Sequence, residues 1–339
     1  ADGAREAMRE AGKVAAIGAD LGGTNIRLAL VDAEGGLSEP YRYPTPPTGE
    51  AATIVETLAQ GIRVLQHQAR AHGIRLVGCG LGVAGLVDGR AGVIYTAPNV
   101  AGFRDLPLKK LLEEKVDVPV TLENDANAAA FAEYWVGAGR GVASLICLTL
   151  GTGIGSGIIL DGALWRGASG AAGEAGHMTV EAQGERCGCG RRGCLEAYAS
   201  ATAILRDARA ALARGEETAL RAPFGARPEA LTALAVSEAA RAGDPVARRI
   251  FERAGSYLGV GLGSLVNLLN PDLITLTGGL TAAGDLLLAP ARAELTRRAF
   301  PVLLQRTRVA LSALADTAGM LGAAGLVLAD AGHLWMPAG

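Results

Sequence analysis

Aromatic side chains are scarce, at 4% of 339 residues, so any core must be built from Leu, Val, Ile and Ala. Net charge is also nearly absent: 32 Lys and Arg stand against 34 Asp and Glu, leaving −2. No basic field exists to hold nucleic acid or an anionic membrane, so neither is an expected partner. No apolar run reaches the ~18 residues that a spanning helix needs. The opening ADGAREAMREAGK mixes acids and bases without an apolar stretch, which does not read as a secretory leader. A cytoplasmic protein is the expectation. Any G-x-x-x-x-G-K-[ST] phosphate loop is missing too, and the 48 glycines follow no G-X-Y period, which excludes collagen.

Half of the chain is hydrophobic and only 19% is charged, which argues for a large buried core and against disorder. The length exceeds what one core usually organises, so two domains are expected.

Hydrophobic patterning predicts strands at Val14–Asp20 and Ile26–Asp32 around a Gly-Gly turn, and a third at Leu37–Tyr43. A helix over Thr53–His72 and a strand over Leu76–Val83 follow. A short helix at PLKKLLEEK, a strand at Val118–Leu122 and a helix at Ala126–Trp135 complete an α/β layer with a mixed sheet. The plan then restarts: a strand at Ser144–Leu150, a GTG turn and a strand at Ile154–Leu160 repeat the opening, as a duplication would. Residues 162–198 are Gly-rich and irregular, too long for an ordinary connection. Beyond Ala199 the pattern is mostly helical, with a strand at Leu273–Thr277 and an Ala-rich helix over Thr317–Ala329.

Two glycine turns suit phosphate. In GADLGGTNIRLALVD, Asp20 ends a buried strand, Gly22 and Gly23 place no side chain in the way, Thr24 offers a hydroxyl and an amide, and Arg27 a planar cation. A carboxylate beside such a turn can hold Mg²⁺ directly or through water. In LTLGTGIGSGII, Gly151, Thr152 and Gly153 again expose consecutive amides between strands. Gly278-Gly279, after the strand LITLT, can lie against a nucleoside. The bland alternative for all three is a tight turn.

In VTLENDANAAAFAEYW, Asp125 stands where a strand yields to a helix. It reads either as the helix N-cap or as the general base that takes a proton from a sugar hydroxyl during phosphoryl transfer. Asn124 is placed to hydrogen-bond the sugar. Cys79 and Cys147 lie in apolar strands as core residues, whereas Cys187, Cys189 and Cys194 crowd into CGCGRRGC. With His177 ten residues upstream they form a Cys₃His set suited to a closed, structural Zn²⁺. A Cys-x-Cys pair rarely closes a comfortable disulfide. Such an ion would shape the long loop and hold Glu174 and Glu196 beside a sugar.

Together these segments resemble the ROK family of repressors, open reading frames and kinases, within the actin-like ATPase and sugar-kinase superfamily, from about Ala15 to Gly325. The segment GEAGH…CGCGRRGCLE carries most of that likeness. The resemblance implies a two-domain fold with a mixed sheet in each domain, helices packed on it and an interdomain cleft. The domains are expected at 14–120 plus 317–334 (smaller) and at 121–316 (larger, with the zinc loop). It further implies Asp20, Gly22, Gly23, Thr24 and Arg27 as a first phosphate motif, Gly151, Thr152 and Gly153 as a second, and Gly278 and Gly279 as an adenosine motif. Asp125 matches the catalytic base. Gly85, Asn99, Asn124, Asp125, Glu174, His177 and Glu196 match sugar contacts, and His177, Cys187, Cys189 and Cys194 the zinc ligands. Family members often carry Pro at Ala84 and a bulky aliphatic at Ala175; here only local pocket shape is affected.

The activity so implied is transfer of phosphate from ATP, with Mg²⁺, to the 6-hydroxyl of a hexose, glucose foremost. Mannose, N-acetylglucosamine, N-acetylmannosamine and fructose differ from glucose by single pocket contacts. A sugar-sensing regulator of the same family would need a DNA-binding helix-turn-helix, and about a dozen residues precede the first strand. A polyphosphate donor would want a denser basic path than Arg191-Arg192 supply. A homodimer or homotetramer is the assembly the resemblance suggests.

Overall fold

A computed structural model of the chain describes residues 14–46, 51–97 and 103–334. Strands β1 (Val14–Leu21) and β2 (Asn25–Asp32) form the predicted hairpin, antiparallel from Ala15 opposite Asp32 to Leu21 opposite Ile26. Strand β3 (Tyr41–Pro44) adds to β2 but begins later than the pattern predicts. The Ser38 hydroxyl accepts the Leu30 amide at 3.0 Å, replacing the ladder bond that a strand over Leu37–Tyr43 would make.

Helix α1 (Ala51–Ala71) buries Ile54, Leu58, Ile62 and Leu65, a stripe at helical spacing. β4 (Arg75–Val83) returns parallel to β1. Three short strands, β5 (Leu86–Asp88), β6 (Val93–Thr96) and β7 (Arg104–Leu106), make a separate small sheet absent from the sequence pattern. Runs of three or four residues carry too little periodicity to be read. After α2 (Leu108–Glu113), β8 (Val120–Asn124) runs parallel to β4 and passes directly into α3 (Asp125–Trp135). The first sheet is therefore mixed, in the order β3-β2-β1-β4-β8.

The second half repeats this arrangement. β9 (Leu145–Leu150), β10 (Ile154–Leu160) and β11 (Ala163–Leu164) come first. Helices α4 (Glu196–Ala199), α5 (Ala201–Ala213), α6 (Arg221–Phe224), α7 (Ala233–Arg241) and α8 (Pro245–Leu269) follow. β12 (Leu273–Thr277), α9 (Asp285–Arg298), α10 (Pro301–Leu304), β13 (Arg308–Leu311) and α11 (Ala318–Asp330) complete the chain. The second sheet reads β11-β10-β9-β12-β13. Strand for strand this is the order of the first, the topological trace of the repeat seen in the sequence.

By its contacts the chain divides into two units. One comprises the described residues up to Cys147, Gly157–Gly173 and those from Ser312 onward; the other comprises Leu148–Ser156 and Glu174–Leu311. The expectation began the second domain at 121, whereas contacts keep 121–147 with the first unit, because α3 packs on α11. Helix α11 is apolar around most of its circumference and also covers β1 and β4. Its backbone lies so near those strands that a Cβ on Gly80 would overlap the Ala323 carbonyl oxygen. In the second unit α8 is the central helix, packed by α4, α5, α7 and α9.

Candidate functional site

In the first unit, the β1–β2 turn presents Gly23 and Thr24 to solvent while Thr45 fastens it from behind. The Thr45 amide donates to the Thr24 carbonyl at 2.9 Å and its hydroxyl to the Gly22 carbonyl at 2.7 Å. Asp20, at 8% exposure, accepts the Arg27 Nη2 at 2.6 Å. Arg27 is thus committed to that carboxylate, with exposed Asp316 3.5 Å from Nη1. Burial pushes the Asp20 carboxyl above its ordinary range despite the pull of Arg27. Gly319, at the first turn of α11, has no side chain; a Cβ there would lie 3.0 Å from the carboxyl carbon. A buried, acceptor-rich carboxylate beside an exposed glycine turn is suited to a hydrated cation.

Asp125 occupies the first position inside α3, and the cap before it is Asn124 (φ −64°, ψ 142°), whose Oδ1 accepts from Ala126 and Asn127 amides at 2.9 and 3.1 Å. The N-cap reading of Asp125 is corrected accordingly: capping needs extended dihedrals, and Asn124 has them. Asp125 Oδ1 also accepts the Ala126 amide, at 2.9 Å. Asn124 Nδ2 donates to the Gly85 carbonyl at 3.0 Å. Gly85 has φ +143°, and a Cβ on it would overlap the Thr96 carbonyl oxygen, so only glycine fits. Asn99 lies outside the described residues.

In the second unit, the turn Gly151–Gly153 joins β9 to β10. The Gly151 carbonyl accepts the Ala201 amide at 2.9 Å and the Thr152 carbonyl the Thr202 hydroxyl at 2.7 Å, both from the start of α5. Carbonyls held inward turn the same peptides' amides outward, the polarity an anion requires. Gly278 (φ +95°) follows β12, and a Cβ there would overlap the Leu150 carbonyl oxygen at the end of β9. The structure therefore gathers Gly278 with the Gly151–Gly153 turn at the ends of neighbouring strands. Gly279 faces open space.

His177, Cys187, Cys189 and Cys194 converge, their ligand atoms all within 4.8 Å of one another. His177 Nδ1 lies 3.7 Å from Cys187 Sγ, and Cys189 Sγ 3.7 Å from Cys194 Sγ. The edges of a tetrahedral zinc–thiolate site are about 3.8 Å, so the four residues fit the ion. Burial, then the hydrogen bond with the Cys189 thiol and the neighbouring Glu196, pushes the Cys187 thiol up to about 12. Burial raises Cys194 as well; on Cys189 burial is outweighed by hydrogen bonds from the Arg191 amide and the adjacent thiols, which hold it below its ordinary value. His177 Nε2 faces Glu174 Oε2 at 3.9 Å, so its two ring nitrogens serve the thiol cluster and the carboxylate separately. Glu196 Oε2 accepts the Ile154 amide at 2.9 Å and its Oε1 lies 3.4 Å from Cys187 Sγ, linking thiol cluster to glycine turn.

Supports that sequence reasoning missed come from remote segments. The loop is braced by Tyr198, whose hydroxyl accepts the Glu185 amide at 2.7 Å and whose ring stacks on Tyr257 at 4.0 Å. Arg253 sits 5.2 Å over Tyr198 and pairs with Asp207 at 2.7 Å. Nothing in spacing announces Arg253, on α8, as a partner of this loop.

The ROK family model matches residues 16–330. This chain belongs to the ROK family. A glucokinase from Streptomyces coelicolor is 40% identical over 316 residues, covering 91% of this chain and 96% of its own length. The crystal structure of a ROK glucokinase from Streptomyces griseus in complex with glucose and AMPPNP is similar at TM-score 0.78 and 38% identity, covering 92% of this chain and 98% of that one. The xylose repressor of Bacillus subtilis is 31% identical over 313 residues, with 92% of this chain matching 76% of the repressor. Among the described residues, no helix is long and apolar enough to cross a membrane.

Proposed function

We propose that this chain is a glucokinase, transferring the γ-phosphoryl group of ATP to the 6-hydroxyl of glucose and yielding glucose 6-phosphate and ADP. The observation that carries the reading is Asp125 itself. The cap is supplied by Asn124, so the Asp125 carboxylate is not needed to start α3 and stands directly after the last residue of β8. There it serves as general base. The O6 proton passes to Asp125 Oδ as O6 bonds to the γ-phosphorus and the bond to the ADP oxygen breaks.

Gly85, Asn99, Asn124, Glu174, His177 and Glu196 are the proposed sugar contacts. Gly22, Gly23, Thr24 and Arg27, with Gly151, Thr152 and Gly153, are the proposed phosphate groups; Gly278 and Gly279 take the adenosine. Asp20 would hold Mg²⁺ through water, the ion neutralising charge on the phosphates. Zn²⁺ on His177, Cys187, Cys189 and Cys194 would be structural, since four protein ligands leave no open position. The similarity to glucokinases along nearly the whole chain supports the choice of sugar. A cytoplasmic homodimer or homotetramer is the proposed assembly, to be read by sedimentation.

The test is a coupled assay with ATP against glucose, mannose, fructose, N-acetylglucosamine and N-acetylmannosamine. Glucose is expected to give the highest kcat/KM. Turnover of another sugar in preference would reassign the substrate, and turnover of none would end the kinase reading in favour of a sugar-responsive regulator.

A further inference from the structure

Directly before the Asn124-Asp125 pair, the end of β8 carries a second carboxylate, Glu123, that the reaction does not use. Glu123 is 6% exposed, deep enough that an unpaired charge would be costly. Three donors satisfy it. Its Oε1 accepts Asn124's own backbone amide at 3.0 Å and the Asn127 side-chain amide at 2.9 Å. Its Oε2 accepts Arg166 Nε at 2.7 Å, a pair spanning 43 residues.

Arg166 comes from the Gly-rich stretch after β11, which closes on itself. The Ala172 amide donates to the Arg166 carbonyl at 3.0 Å, and Gly167, Gly170 and Gly173 have φ of +68°, +80° and +90°. Gly167 also lies tightly against Ala172, where a Cβ would come within 2.8 Å of that residue's own. The ring is a fixed base from which one cation reaches the β8–α3 junction. Without the cation, the carboxylate is left buried with only neutral donors, and its best response is to turn toward water. That turn releases the Asn124 amide and the Asn127 side chain, the two bonds that tie Glu123 to the capping residue and the first turn of α3.

We propose that Arg166 and Glu123 are positioning residues for Asp125: the ion pair sets the junction geometry that aims the catalytic carboxylate. The inference rests on the kinase reading for its catalytic consequence, but its structural half stands separately. Misplacing a reacting group by about 1 Å can cost 100-fold in rate. The pair touches neither sugar nor nucleotide in this assignment, so its loss should appear in kcat rather than in KM for ATP.

The experiment uses the full-length chain and the variants Arg166→Gln, Arg166→Lys, Glu123→Gln and the double Arg166→Gln/Glu123→Gln. Two readouts are taken: steady-state kinetics with glucose and ATP, and amide hydrogen exchange over residues 122–128. Arg166→Gln is expected to lower kcat about 10- to 100-fold with KM for ATP within twofold, and to speed exchange at 122–128 while leaving α8 unchanged. Arg166→Lys keeps the charge and should recover most of kcat. The double variant should be no slower than the slower single, since both remove one interaction. Wild-type exchange at 122–128 in Arg166→Gln would overturn the proposal whatever the activity, as would multiplicative losses in the double variant. If the unmutated chain phosphorylates no sugar, the kinase reading fails alone, and the exchange data still decide whether the pair holds the junction.

Discussion

Asn124 joins two segments of the first unit: its Nδ2 donates to the Gly85 carbonyl at 3.0 Å while its Oδ1 caps α3. One side chain thereby registers the end of β8 against the turn after β4. Asn124→Ala should lose the cap, worth about 1 kcal/mol, and leave the Gly85 carbonyl without this donor. Asn124→Asp keeps the capping oxygen but sets an acceptor against that carbonyl. Urea unfolding should show both variants below wild type; full stability of Asn124→Ala would show that Asp125 can take over as cap.

Asp125→Asn should separate chemistry from folding. Removing a general base costs about 10²- to 10⁴-fold in kcat, whereas Asn124 continues to cap the helix, so Tm should hold. Glucose affinity by calorimetry should stay within a few fold. Retained turnover would remove Asp125 from the reaction.

Asp20 should cost the fold stability. Burial, opposed by Arg27, holds its carboxyl above the ordinary 3.8, so the folded state binds the proton more tightly than the unfolded chain does. The stability this group contributes is complete below pH 3.8 and is lost as pH rises through the folded value. Asp20→Asn should therefore be more stable than wild type at pH 7, with the gap closing on acidification, while ATP-dependent activity falls. Thermal melts at pH 7 and near pH 4 check the sign; a variant less stable at pH 7 would show that the Arg27 pair outweighs burial.

The thiol cluster should hold about one Zn²⁺ per chain, measured by atomic emission on protein purified without added metal. Cys189→Ser should lose the metal and lower Tm, because residues 178–195 lack regular strands or helices to hold their shape. Chelation of the wild-type protein should reproduce that drop, and added Zn²⁺ reverse it. A metal-free Cys189→Ser protein with wild-type Tm would refute the structural assignment.

Much of the frame was legible from pattern alone. β1, β10 and β12 sit where alternating or continuous apolar runs place them, and Cys79 and Cys147 are buried as core residues. The cluster of His177, Cys187, Cys189 and Cys194 was legible because a Cys-x-Cys with a nearby Cys and His restricts chemistry strongly. The small sheet β5–β7 and the edge strand β13 were not, because runs of three or four residues are too short to show a period and take their order from pairing with another strand. The role of Asn124 was read toward a sugar; only the dihedrals at the β8–α3 junction reveal it as the cap.

The order of residues by itself determined the two glycine turns, the carboxylate that follows a buried strand, and the thiols with their histidine. Each of these is a local pattern whose chemistry depends on neighbours a few positions away. Tertiary structure alone decided which distant groups meet: Arg166 with Glu123, and Arg253 with Asp207 and the stacked tyrosines. Such pairs depend on which backbones approach in space, and the low cost of closing a long loop lets a partner come from nearly anywhere in the chain.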